Sequence, residues 1–75
     1  MNLYEKNELQ IMRENFKLLR EKRNWSMGKL SKTSGINEKV LAGIESGDDF
    51  DVLYLFILCD IYNIKPHQIF ARLEE

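Results

Sequence analysis

Seventy-five residues make one domain, expected to span residues 1–75, and a chain this short buries only about 60% of its unfolded surface. Hydrophobic residues at 44%, charged residues at 31% and a net charge of −1 describe a folded globular protein rather than a disordered one. One cysteine (Cys59) and one histidine (His67) exclude an intrachain disulfide and a four-ligand zinc site, and suit a reducing compartment. The opening MNLYEKNELQ is too polar for a signal peptide, and the longest apolar run, VLYLFILC, is far short of the roughly 20 residues that cross a bilayer. A soluble, cytoplasmic protein with no membrane partner is expected.

Taken in chain order, residues 1–7 form a short N-terminal extension. Asn7 with Gln10 has the form of a capping box, and Leu9, Met12, Phe16 and Leu19 recur at helical steps, which predicts an amphipathic helix ending near Arg23-Asn24. Ser26 caps a short helix through Leu30 and Ser34, which Gly35 stops. Asn37 caps a third, Glu38 to Glu45, ended at Ser46-Gly47 by a glycine suited to a left-handed turn. Asp51 caps a fourth from Val52 to about Tyr62. A buried strand would also fit this apolar run, but no second strand is present to pair with it. Asn63 can close that helix, and Pro66 suits the first position of a last one, His67 to Leu73.

The segment MGKLSKTSGINEKVLAGIESG, Met27 to Gly47, carries the motif. Ser31 is the small residue where two helices press together, and Gly35, four residues on, tolerates the positive φ of the turn between them. Leu30, Ile36, Leu41 and Ile44 supply the apolar anchors. With Arg20, Ser26 and Glu45-Ser46-Gly47 these residues resemble the Cro/CI (XRE) family of phage repressors from about Phe16 to Phe70. The resemblance implies an all-α, five-helix, lambda-repressor-like DNA-binding domain with the helix-turn-helix at helices two and three. It also implies a partly buried structural ion pair between Arg20 and Glu45. In the family the third helix lies in the major groove. Carried over, the DNA-facing positions are Asn37, Glu38, Lys39 and Gly43, with Met27 at the start of the second helix and Lys29 and Lys32 along it.

Several positions depart from the family. Met27 stands where a glutamine usually contacts phosphate or base, and Gly43 has no side chain to read with. Glu38 could accept from cytosine and Lys39 donate to guanine. The loop after the third helix carries Asp48, Asp49 and Asp51, which repel a backbone with one charge per roughly 1.7 Å of duplex. Arg13, Lys17, Lys22, Arg23, Lys29 and Lys32 remain as phosphate contacts or as a solvated basic face. The charge is divided accordingly: residues 1–40 hold nine Lys or Arg against five Glu, and residues 41–75 hold two against seven Asp or Glu.

Helical spacing puts Val52, Leu55, Phe56, Cys59 and Tyr62 on the inward face of the fourth helix. Leu53, Ile57 and Ile61, with Tyr54 beside them, fall on another side and are interface candidates. Either a second chain covers them or the N-terminal extension does, through Leu3 and Tyr4. Cys59 and Trp25 are expected in the core and His67 outside it. No nucleophile–base pair, phosphate loop, metal cluster or cofactor site can be assembled, so neither an enzyme nor a small-molecule substrate is expected. Two functions follow. One is a transcriptional regulator of phage or mobile-element type that binds duplex DNA as a homodimer. The alternative is a protein-binding modulator that docks on a partner repressor and alters its DNA binding.

Overall fold

Four stretches fold as α-helices in the computed structural model, which describes residues 6–73: α1 Lys6–Lys22, α2 Met27–Ser34, α3 Glu38–Ser46 and α4 Val52–Ile61. The last expected helix is instead a 3₁₀ helix, Pro66–Phe70, so the architecture is all-α with four α-helices among the described residues. The five residues from Pro66 to Phe70 make this short tight helix, and Ala71 is already extended (φ −119°, ψ 153°).

The caps explain where the helices begin. The Ser26 hydroxyl accepts from the Lys29 amide at 3.0 Å, Asn37 Oδ1 from the Lys39 amide at 2.8 Å and Asp51 Oδ1 from the Leu53 amide at 3.0 Å. The Asn7–Gln10 capping box does not form. Asn7 lies inside α1, and Gln10 Nε2 donates one turn onward to Glu14 at 3.0 Å. Residues 6 and 7, read as extension, are therefore helical. Leu3 and Tyr4 lie outside the described residues.

Between α2 and α3 the chain turns at Gly35, whose φ of +76° needs glycine although a Cβ there would meet nothing within 4 Å. Asn24 and Asn63, each at φ +56°, close α1 and α4 in the same left-handed way. The Ser31 hydroxyl donates to the Ile36 carbonyl across the turn and fixes the angle of the motif.

Met12 and Phe16 of α1 meet Leu30, Ile36, Leu41 and Ile44 of the motif, Leu55, Leu58, Cys59 and Tyr62 around α4, and Ile69 of the 3₁₀ helix in one core. The orientation of α4 differs from the expected one. Leu55, Cys59 and Tyr62 are buried, but Val52 and Phe56 are 59% and 51% exposed, and Leu58 takes the inward place. A helix apolar nearly all round has no polar stripe to orient it, so its rotation is set by α2 and the 3₁₀ helix packed against it.

Tyr62 is stacked on Trp25 with ring centroids 6.1 Å apart, while Arg23 lies over both rings. The Tyr62 hydroxyl is buried and has no hydrogen-bond partner among the described residues. Tyr62→Phe removes that desolvated group and keeps the ring, so it is expected to stabilise the domain by about 1 kcal/mol. Thermal unfolding checks this as a rise in Tm of about 5 °C.

Candidate nucleic-acid interface

The turn fixed by Gly35 presents the first turn of α3 outward. Asn37, Glu38 and Lys39 are exposed there, and Lys29 and Lys32 are exposed on α2. Their settings differ. Asn37 is committed to its cap. The Glu38 carboxylate leans towards the start of α2, with both oxygens 3.9 Å from where a Cβ on Gly28 would lie, and there it faces the positive end of that helix. Lys39 extends from the same turn. Met27 is half-buried and packed against the core, so it contributes shape rather than a polar contact.

Gly43 is buried in the middle of α3. Gly47, at φ +125°, turns the chain so that the amides of Gly47 and Asp48 both donate to the Gly43 carbonyl, at 2.9 and 2.8 Å. The Asp48 side chain therefore lies against Gly43. A Cβ on Gly43 would come within 2.9 Å of Asp48 Oδ2 and 3.2 Å of Asp48 Cβ.

Arg13 holds this loop from α1. Its guanidinium donates to the carbonyls of Ile44 at 2.6 Å and Asp48 at 3.2 Å, and stands over the Phe50 ring. Two of the basic side chains considered for phosphate contact are thus occupied in the fold. Arg13 ties down the end of α3, and Arg23 lies on Trp25 and Tyr62 while donating to the Leu19 and Tyr62 carbonyls. Lys17, Lys22, Lys29 and Lys32 are exposed. Of the three loop aspartates, Asp51 caps α4, and Asp48 and Asp49 are exposed.

Arg20 makes a two-pronged contact with Glu45. Its Nε donates to Oε2 at 2.9 Å and Nη2 to Oε1 at 3.0 Å, while Nη1 donates to the Trp25 carbonyl at 3.0 Å. The hydrogen bonds from the guanidinium to Glu45 raise the Arg20 pKa further. The contact ties the end of α1 to the end of α3 and so sets the tilt of the presented helix.

Three of these arrangements carry no clear sequence signal of their role: the Arg13 clamp, the Asp48–Gly43 contact, and Asn15. Asn15 is buried on α1 and its Nδ2 donates to the carbonyls of Ile69 and Ala71, both at 2.8 Å. The one available hint was a polar residue three positions after Met12, on the apolar stripe.

Beyond Asp49 and Arg13, which also border it, Leu9, Phe50, Val52, Leu55, Phe56 and Phe70 line an open groove of about 500 Å³. Among the interface candidates, Leu53 is 58% exposed, and Tyr54, Ile57 and Ile61 are half-buried against the core.

Burial holds the Cys59 thiol up at about 11, against 9.0, and the Tyr62 phenol up at about 12, against 10.0. Both groups are favoured neutral in the folded state. Their contribution is complete below about pH 9 and is lost as pH rises through 11 and 12. Circular dichroism should therefore show unfolding at alkaline pH, and Cys59 should resist alkylation at pH 8 until denaturant is added.

Among the described residues, no helix is long and apolar enough to cross a membrane. A family model described as helix-turn-helix matches residues 16–69, which covers all of the motif, α4, the second part of α1 and most of the 3₁₀ helix. No similar curated protein and no similar solved structure was found. The chain belongs to the XRE, Cro/CI-like helix-turn-helix family, and its domain is that of a DNA-binding transcription regulator.

Proposed function

We propose that the protein is a cytoplasmic regulator of phage or mobile-element type that binds operator DNA as a homodimer. Its α3 enters the major groove first turn foremost, and α2 spans the adjacent backbone. The observation that carries this reading is the outward first turn of α3, where Lys39 stands exposed, together with the exposed Lys29 and Lys32 of α2. Lys39 donates to a guanine edge, and the two α2 lysines neutralise phosphates. Asn37 and Met27 set the position of these groups, and Glu38 and Gly43 limit which bases fit beneath them.

Dimerisation uses the apolar side of α4, where Val52, Leu53 and Phe56 are exposed and Tyr54, Ile57 and Ile61 lie half-covered. Two copies so joined read half-sites about 34 Å apart. On a selected operator, Lys39→Ala should weaken binding by about 1–3 kcal/mol and relax base preference at a single position. An equal loss on every sequence would make Lys39 a phosphate contact instead.

A second reading is favoured by Asp48 and Asp49, which project beside an α3 with few groups for bases. In it, this acidic edge docks on the basic surface of a partner repressor. Replacing Asp48 and Asp49 with Asn separates the two: random-duplex binding strengthens if DNA is the target, and a complex with a basic partner weakens if protein is.

A further inference from the structure

We infer that Asp48 is a base-reading residue, which supplies from the loop the side chain that Gly43 lacks and completes a reader for one G·C pair. The inference rests on the DNA-binding reading above. Lys39, Val40, Gly43, Asp48 and Asp49 line one shallow depression on the surface of α3. Gly43 is among its lining residues, and Asp48 Oδ2 lies 2.9 Å from where the Cβ of a side chain on residue 43 would be.

The chemistry of the two walls is complementary to one base-pair edge. In the major groove a G·C pair offers the N7 and O6 acceptors of guanine and the N4 amino donor of cytosine. An ammonium on one side and a carboxylate on the other match that edge, Lys39 donating to guanine and Asp48 accepting from cytosine. An A·T pair offers a donor and two acceptors in another order, with a methyl group that would meet the carboxylate. Carboxylates repel phosphate, so Asp48 lowers affinity for duplex in general and raises discrimination among sequences.

The loop is built to hold the carboxylate there. Two amide donors to the Gly43 carbonyl start the turn, and Arg13 grips the main-chain carbonyl of Asp48 rather than its side chain. Asp48→Asn should therefore leave the loop in place and change only the group presented. Gly43→Ala tests the same contact from the other side, because the added methyl has no room unless Asp48 moves.

The test is selection from a pool of randomised duplexes with the full chain, followed by anisotropy on the selected site and on versions with the G·C pair exchanged for A·T. Circular dichroism and thermal unfolding of each variant serve as the folding control. The wild-type chain should select a site with a fixed G·C pair and prefer it about 5-fold or more over the exchanged site. Asp48→Asn and Gly43→Ala should each reduce that ratio towards one, while Asp48→Asn binds random duplex more tightly. A folded Asp48→Asn variant that selects the same site with an unchanged ratio would overturn the inference and leave the DNA-binding reading intact. Failure of the wild-type chain to bind any duplex would overturn both.

Discussion

Glu45→Ala is expected to destabilise the domain by about 3 kcal/mol. The two side chains of the pair are only 15% and 9% exposed, so removing the carboxylate leaves a guanidinium largely desolvated with one carbonyl, that of Trp25, as its partner. Breaking a buried pair costs more than the pair contributes, because the surviving charge loses its compensation. A domain of this size has about 5 kcal/mol to lose, so the variant should be near unfolding at 37 °C. Replacing both members by apolar residues, Arg20→Met with Glu45→Leu, should cost less than Glu45→Ala alone. Urea denaturation of the three variants measures the difference, and a double variant less stable than the single one would contradict this account.

Asn15→Leu should lower stability by about 2–4 kcal/mol although it adds apolar volume to the core. Asn15 joins α1 to the 3₁₀ helix, and its amide is the donor for two carbonyls, those of Ile69 and Ala71. A leucine leaves both without that donor, each costing about 1–3 kcal/mol when buried. Ile69 and Phe70 should loosen first, which hydrogen exchange would register as lost protection of the 3₁₀ helix before the rest of the domain. Asn15→Asp keeps the shape but replaces the donor with an acceptor, and should be as harmful at neutral pH.

The legible part of the fold was local. Ser26, Asn37 and Asp51 are caps because a short side-chain oxygen beside an apolar run has a clear geometric role, and Gly35 and Asn63 announce left-handed turns. The rotation of α4 was not legible, because every spacing of an all-apolar helix predicts some buried face. Phe56, expected inside, is exposed and Leu58 is buried for that reason. The last helix was expected too long, since Pro66 marks a start but nothing in Ala71-Arg72-Leu73 marks a stop.

At the candidate interface, the positions carried over from the family fall on α2 and α3, but their side-chain settings were beyond sequence spacing. Arg13 looks in sequence like any exposed basic residue. Only the tertiary structure brings it to carbonyls 31 and 35 positions away. Gly43 looked like a missing contact, whereas the fold puts Asp48 against it.

Fluorescence anisotropy of a labelled random duplex, titrated with the full chain at rising salt, tests the central claim most directly. The account predicts binding at low salt with a non-specific constant of about 10⁻⁴ to 10⁻⁶ M near physiological salt. Log affinity should fall by roughly 0.9 per phosphate contact for each log unit of salt, with a slope of a few units from the exposed lysines of α2 and their neighbours. Absence of binding at low salt and high protein concentration would contradict it, and would mean that the carboxylates at the edge of α3 have closed this surface to DNA.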